Sequence, residues 1–232
     1  MHADPLVMVP GLNCTERAFA DLLPKLWADG SVMFANHRQG PSVETVAAAV
    51  LADAPHRFAL LGYSMGGYIA FEMLRQAPER ITALCFLATS ARPDTEEKSI
   101  ERRRLIDMAA AGKFASLPGL SFPGIVHPAN REDERLRTIH AGMAMATGVD
   151  TYIDQQTAII ARPDSRPLLT TIAVPTAVIV GEADTVTGVD AAEEIAAGID
   201  GATLTRVAGA GHFAPLEAPG AVADAISAWR CG

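Results

Sequence analysis

Short apolar runs alternating with helical patterns constrain the fold of this chain more than any other feature. Six β-favouring runs predict strands. They are Leu6–Val9, Ser31–Ala35, Arg57–Leu61, Ile81–Ala88, Ala177–Val180 and Ala202–Val207. Strands that alternate with helices predict an α/β fold, in which a mostly parallel sheet has helices on both faces.

Helical periodicity supports this architecture between most of the strands. Phe19, Leu22, Leu23, Leu26 and Trp27 fall on one helical face, with Thr15 as a candidate N-cap and Pro24 as a candidate kink. Four further helices are predicted for the core. One begins at Ser42, and the others are Met65–Gln76, Ala191–Ala197 and Ala221–Trp229.

The alternation breaks once, between Ala88 and Val174, where no good strand pattern occurs. This part contains polar helical patterns at Glu96–Ala111, Arg131–Ala146 and Asp150–Ile160, and a stretch rich in Gly and Pro at Leu117–Pro128 that predicts a loop. A helical insertion between two strands of the sheet is therefore expected.

Composition limits the classes of function. The formal net charge of −8 gives no basic surface for nucleic acid or anionic membranes. No signal peptide and no apolar run of bilayer length are evident, and three scattered cysteines do not form a disulfide framework. A cytoplasmic protein without membrane insertion, either a monomer or a small homo-oligomer, is expected.

The sequence GYSMGG, residues 62–67, lies at the junction of a predicted strand and a predicted helix. Two interpretations compete. The glycines could make a tight turn in which Ser64 caps the helix, or they could bend the backbone so that Ser64 is presented as a nucleophile. The second interpretation requires a histidine base and a carboxylate elsewhere in the chain.

Candidates for both partners follow later strands. His212 lies in the glycine turn GAGHF after the sixth strand, and Asp184 lies in GEAD after the fifth. Because sites in open α/β sheets form at the carboxyl ends of strands, Ser64, Asp184 and His212 are predicted to meet at one edge. Glu182 and Asp190 are alternative acids, and Asp184 could instead be an ordinary N-cap.

GYSMGG fits the G-x-S-x-G signature, and with VIVGEAD and GAGHF in the order Ser, Asp, His the chain resembles the α/β-hydrolase superfamily. The resemblance implies a hydrolase core at residues 1–91 and 166–232, with a helical lid at 92–165. It also implies a serine hydrolase that uses no cofactor. No metal-ligand cluster or phosphate loop is evident.

Within this resemblance, two backbone N–H groups are expected to bind the oxyanion. One belongs to Met65, and the other to Leu12 in the loop after the first strand, with Asn13 as the alternative. Cys14, close to this loop, is interpreted as a small buried residue. Arg38 is interpreted as a structural hydrogen-bonding residue.

The substrate class stays open at this level. A small-molecule carboxylic ester is the leading expectation, by frequency among similar proteins. Thioester hydrolysis and C–C bond hydrolysis or lyase chemistry use the same triad, and a ligand receptor with little turnover is an alternative of another class. Met143, Ala144, Met145 and Tyr152 either line an apolar pocket under the lid or pack between helices.

Overall fold

The computed structural model describes residues 4–231, apart from the side chain of Cys231. Its centre is a six-stranded sheet in which every neighbouring pair of strands is parallel, in the order β2-β1-β3-β4-β5-β6. The strands are β1 (Leu6–Val9), β2 (Val32–Phe34), β3 (Phe58–Tyr63), β4 (Ile81–Leu87), β5 (Thr176–Gly181) and β6 (Thr203–Val207). All six predicted strands are confirmed, with ends shifted by a few residues.

Ten α-helices accompany the sheet in the described residues. They are α1 (Leu23–Leu26), α2 (Val43–Asp53), α3 (Met65–Gln76), α4 (Glu96–Met108), α5 (Leu117–Ile125), α6 (Glu134–Thr147), α7 (Val149–Ala161), α8 (Val189–Gly198), α9 (Ala214–Glu217) and α10 (Pro219–Cys231). Thr15 and Ser42 cap the helical turns that follow them, as predicted.

Two apolar cores lie on opposite faces of the sheet, because successive strand residues point to opposite sides. Val7 and Val9 of β1 pack with α2, α3 and α8, whereas Leu6 and Met8 pack with the 3₁₀ turns at Glu16–Leu22 and with α10. Both faces of the strand are therefore buried, which explains why β1 reads as a continuous apolar run rather than as an alternating pattern.

The predicted helix around Phe19–Trp27 is broken. A 3₁₀ segment covers Glu16–Leu22, the short helix α1 follows with Pro24 in its first turn, and a further 3₁₀ turn begins at Trp27. Phe19, Leu22 and Leu26 are buried, but Trp27 is 61% exposed. Its predicted place on the buried face is wrong, because 3₁₀ turns rotate side chains differently from an α-helix.

Helices α4 to α7 lie between β4 and β5, where the sequence predicts the insertion. The predicted loop at Leu117–Pro128 is wrong, since most of it forms α5. Pro118 occupies the first turn, where proline is tolerated, and Leu117 and Phe122 are buried. Burial of these two side chains outweighs the low helix propensity of the surrounding Gly and Pro residues.

The strand order reverses direction between β1 and β3, so the loops after these two strands lie side by side. Glycines allow the close approach. A Cβ atom on Gly66 would overlap the Val9 carbonyl oxygen, and a Cβ atom on Gly11 would lie 3.1 Å from the Cβ of Ser64. The start of α3 therefore packs directly against the backbone of β1.

Replacement of Gly66 by alanine is expected to lower the free energy of unfolding by about 1–3 kcal/mol or more, because the new methyl group meets backbone atoms that cannot rotate away. The matched control is Gly119→Ala in α5, where an added Cβ atom meets nothing within 4 Å. That change is expected to be neutral or stabilising. Urea unfolding measures both, and equal midpoints for the two variants would contradict the packing described.

Candidate active site

Ser64 lies at the sharp turn between β3 and α3, with a positive φ of 53° and ψ of −116°. Its side chain makes no capping hydrogen bond to the helix. The strained backbone is fixed from three sides. The Ser64 N–H donates to the Leu87 carbonyl at 2.9 Å, and the Ser64 carbonyl accepts from the Gly67 N–H at 2.9 Å and from the Thr89 hydroxyl at 2.7 Å.

A continuous hydrogen-bond chain joins the three residues that the sequence singles out. His212 Nε2 lies 2.8 Å from Ser64 Oγ, and His212 Nδ1 lies 2.9 Å from Asp184 Oδ2. Because an ionised carboxylate can only accept, Nδ1 carries the proton, which leaves Nε2 as the acceptor for the Ser64 hydroxyl. The structure thus brings Ser64, His212 and Asp184 together at the carboxyl edge of the sheet.

Asp184 is buried and satisfied by several donors. Besides His212, it accepts hydrogen bonds from the N–H groups of Val186 and Thr187 and from the Thr187 hydroxyl. Burial alone would raise the pKa of Asp184, but the charge of His212 and these hydrogen bonds outweigh burial and hold the pKa well below its usual value. Asp184 is therefore an anion at neutral pH.

The two alternative acids lie away from His212. Glu182 is exposed, and its carboxylate makes no contact with the imidazole ring. Asp190 is exposed and forms an ion pair with Arg92 at 2.6 Å. Of these three carboxylates, Asp184 alone contacts His212.

Side chains that sequence reasoning missed hold the His212 loop in place. The Tyr63 hydroxyl donates to the His212 carbonyl at 3.0 Å, and Glu217 accepts from the N–H groups of Gly211 and His127. Burial raises the pKa of Glu217, although these donors counteract the rise. Glu217 lies five residues after His212 in the sequence AGHFAPLE, so its role could have been suggested from the sequence. Tyr63 carries no such signal, because it lies within an apolar strand.

The loop after β1 is also fixed by buried side chains. His37 Nε2 donates to the Gly11 carbonyl at 2.9 Å, and the Asn13 N–H donates to Gln155 Oε1 at 3.0 Å. Asn13 has a positive φ of 57°. The Asn13 N–H is thus engaged, whereas no partner within residues 4–231 engages the N–H of Leu12. Gln155, in the insertion, carries no local sequence signal for this role.

Above Ser64 lies a cavity of about 450 Å³, enclosed between the sheet edge and the inserted helices. Most of its wall is apolar. Two hydrogen-bonded sets of polar side chains lie in this wall, one at Arg102, Gln156 and Tyr152 and the other at Ser121 and His140. A partly enclosed apolar cavity with a few convergent polar groups is typical of a small-molecule site.

Other residues considered in the sequence are located as follows. Tyr152 lines the cavity, whereas Met143 and Ala144 are packed in the interior and Met145 is 47% exposed. Arg38 is exposed and donates to the Ala146 carbonyl at 3.2 Å. Cys14 is buried, and burial raises the pKa of its thiol to about 12, so it stays a neutral thiol.

Within residues 4–231, no cluster of His, Cys, Asp and Glu side chains has an arrangement that could hold a metal ion. None of the helices of this part of the chain combines the length and the apolar character that crossing a bilayer requires. The thiols of Cys14 and Cys85 are free and buried, and the Cys231 side chain lies outside the described residues.

Comparison with known proteins assigns the chain to a family. The profile of the alpha/beta hydrolase family matches residues 6–225, which is nearly the whole chain. The chain therefore belongs to the alpha/beta hydrolase family and is an enzyme of that fold.

Individual relatives are distant in sequence but similar in structure. A pimeloyl-[acyl-carrier protein] methyl ester esterase of Neisseria meningitidis serogroup A is 23% identical over 224 residues, covering 88% of this chain and 70% of that protein. A thermophilic esterase from Thermogutta terrifontis is 24% identical, with a TM-score of 0.88 over 97% of this chain and 88% of that one. The enol-lactonase from Burkholderia xenovorans is 21% identical, with a TM-score of 0.89 over 100% and 93%.

Two buried histidines near the site are expected to make the protein sensitive to acid. Burial lowers the pKa of His37 and of His140 to about 4. Between pH 6.5 and 4 these side chains bind protons in the unfolded state but not in the folded state, so the free energy of unfolding falls as the pH falls. Each histidine contributes roughly 3 kcal/mol over that range.

Urea unfolding followed by tryptophan fluorescence at several pH values measures this effect. His37→Gln and His140→Gln are each expected to flatten the decline in unfolding free energy between pH 6.5 and 4, and the double variant to flatten it most. An identical decline in the wild-type protein and the double variant would contradict the assignment of these groups as neutral in the folded state.

Proposed function

We propose that this enzyme is a serine esterase that cleaves small-molecule carboxylic esters through a covalent acyl-enzyme. The observation that carries the proposal is the hydrogen-bond chain from Asp184 through His212 to Ser64, which ends in a partly enclosed apolar cavity. A nucleophile, a base and an orienting acid in mutual contact are what acyl transfer requires.

In the proposed mechanism Ser64 Oγ attacks the ester carbonyl while His212 Nε2 takes the serine proton. His212 then delivers this proton to the departing alcohol. Asp184 stays ionised, keeps the proton on Nδ1 and stabilises the imidazolium that forms. In the second half, His212 activates a water molecule, which attacks the acyl-enzyme and releases the acid and free Ser64.

Two backbone N–H groups would stabilise the tetrahedral oxyanion. Met65 is the first residue of α3, and N–H groups in the first turn of a helix have no acceptor within the helix, so they are available to bind an anion. Leu12 lines the same cavity on the opposite loop. Leu12 is favoured over Asn13 as the second donor because the Asn13 N–H already donates to Gln155.

A carboxylic ester is chosen as the substrate class because of a relative and not because of the triad, since the same triad also hydrolyses thioesters and C–C bonds. The Neisseria meningitidis relative is named a methyl ester esterase, and its match extends over 88% of this chain. The lid role of the segment 92–165 belongs to the same proposal, since α4, α5 and α7 supply much of the cavity wall. These helices would exclude bulk water from the acyl-enzyme.

Replacing Ser64 by alanine is expected to lower kcat/KM for activated aryl esters by about 10⁴-fold or more, because the nucleophile is lost. The measurement is hydrolysis across a range of acyl lengths, with Ser116→Ala, an exposed serine of the insertion, as the matched control. Equal rates in the wild-type and Ser64→Ala enzymes would contradict the proposal. Turnover of thioesters but not of carboxylic esters would change the proposed substrate class to thioesters.

Gln155→Met is expected to reduce kcat about tenfold with little change in KM, because the loop that carries the Leu12 N–H loses its tie to α7. Gln155→Glu is the matched control, since it keeps an acceptor oxygen and Gln155 Nε2 has no hydrogen-bond partner to lose within the described residues. Affinity for a boronic acid, which forms a tetrahedral anion on serine, should fall in parallel with kcat in the Met variant. A kcat and a boronic acid affinity of the Met variant equal to those of the wild-type enzyme would show that Gln155 does not position this loop.

A further inference from the structure

A chain of hydrogen-bond donors crosses the cavity wall between α4 and α7. Arg102 Nη1 donates to Gln156 Oε1 at 2.8 Å, and Gln156 Nε2 donates to the Tyr152 hydroxyl oxygen at 2.8 Å. All three side chains line the same cavity as Ser64. Because a guanidinium can only donate, it fixes the orientation of the Gln156 amide, and each member of this donor relay donates to the next.

The donor relay ends without an acceptor. Neither the Tyr152 O–H nor Arg102 Nη2 donates to any group within residues 4–231. Tyr152 is 3% exposed, and burial raises the pKa of its hydroxyl, which therefore keeps its proton and stays a donor. Since buried donors are costly when unpaired, a ligand that brings acceptor oxygens to this wall would be stabilised.

The wall also carries a surplus of positive charge. The carboxylate of Asp94 is shared by two guanidinium groups, accepting from Arg102 Nε at 2.9 Å and from Arg162 Nη1 at 2.8 Å. The side chains of Arg102, Arg162 and Asp94 are only 20%, 6% and 1% exposed. Two cations and one anion leave one unit of positive charge where screening by water is weak.

Neighbouring charges do not cancel this surplus. Glu101 and Arg104 also line the cavity, but both are exposed and pair with each other at 3.5 Å, so together they add no net charge. Much of the remaining wall is hydrocarbon, contributed by Leu105, Met108, Leu117, Leu120 and Ile159. The cavity thus combines a reactive serine, an apolar span and a cationic donor end.

We propose that Arg102 and Tyr152 form a subsite for a carboxylate carried by the ester substrate, remote from the scissile bond. The inference rests on the proposed esterase function and specifies its substrate as a carboxylate-bearing ester with a hydrocarbon spacer. The two oxygens of the carboxylate accept from the Arg102 guanidinium and the Tyr152 hydroxyl while the ester carbonyl lies at Ser64 Oγ. Such charge-assisted hydrogen bonds are stronger than neutral ones.

The carboxylate could belong to the acyl part or to the alcohol part of the ester, and two sets of matched substrates distinguish these sources. Monomethyl half-esters of dicarboxylic acids are compared with methyl esters of alkanoic acids of equal chain length. Butyrate esters of ω-hydroxy acids are compared with butyrate esters of the corresponding alcohols. Initial rates of acid release at constant pH give kcat/KM for each member.

The wild-type enzyme is expected to prefer the charged member of at least one set. Arg102→Gln should reduce that preference about 10- to 100-fold, mainly through KM, and Tyr152→Phe should reduce it several-fold. The matched control is Arg103→Gln, which removes the same charge from the next residue of α4, an exposed arginine paired with Glu96. This control should keep the preference of the wild-type enzyme.

Two results would overturn the subsite: no preference for the charged member in either set, or an equal loss for charged and uncharged esters in Arg102→Gln. Arg102→Gln is expected to fold, because the buried Asp94 carboxylate retains Arg162 as a partner in that variant. If Arg102→Gln nevertheless fails to fold, the effect of Tyr152→Phe on the preference decides. Hydrolysis of uncharged aryl esters that depends on Ser64 tests the esterase function separately, so the subsite can fail while that function stands.

Discussion

The strained backbone at Ser64 is the constraint on which the rest of the site depends. A positive φ at a non-glycine residue costs about 1–3 kcal/mol and persists only where the surrounding structure enforces it. Two of the three restraints come from β4 and the residues just after it, through the Leu87 carbonyl and the Thr89 hydroxyl. Thr89 also fills the space that a Cβ atom on Gly67 would occupy. The GYSMGG turn is therefore completed by a strand that lies more than twenty residues further along the chain.

The inserted helices are bonded to the loops of the core rather than simply lying over them. Gln155 of α7 holds the loop after β1, the Ile125 carbonyl at the end of α5 accepts from the Phe213 N–H, and the Gly124 carbonyl accepts from the Thr185 hydroxyl. One contact thus reaches the loop after β1, one the loop that carries His212 and one the loop that carries Asp184. The position of the insertion and the geometry of these three loops therefore depend on each other, and a displacement of the insertion would loosen all three loops at once.

Sequence reasoning succeeded where the determinants are local and failed where they are not. Apolar runs and glycine turns predict the six strands and place Ser64, Asp184 and His212 at one edge, because each signal lies within about ten residues of its element. The helix at Leu117–Ile125 was missed because its Gly and Pro content is overridden by the burial of Leu117 and Phe122. Gln155 was missed because its partner Asn13 is 142 positions away.

The partners of three carboxylates near the site, Asp184, Asp94 and Glu217, differ, although each carboxylate is at least partly removed from water. Asp94 faces two guanidinium groups, and Asp184 faces the imidazole of His212, which with several hydrogen bonds holds the pKa of Asp184 well below its usual value. Glu217 accepts from the backbone N–H groups of Gly211 and His127 and from the side chain of Asn130, and burial still raises its pKa. A neutral acid beside His212 could not stabilise an imidazolium, whereas a loop anchor such as Glu217 needs only to accept hydrogen bonds. The charge of the nearest partner, rather than burial itself, therefore separates the carboxylate suited to the proposed chemistry from the one suited to holding a loop.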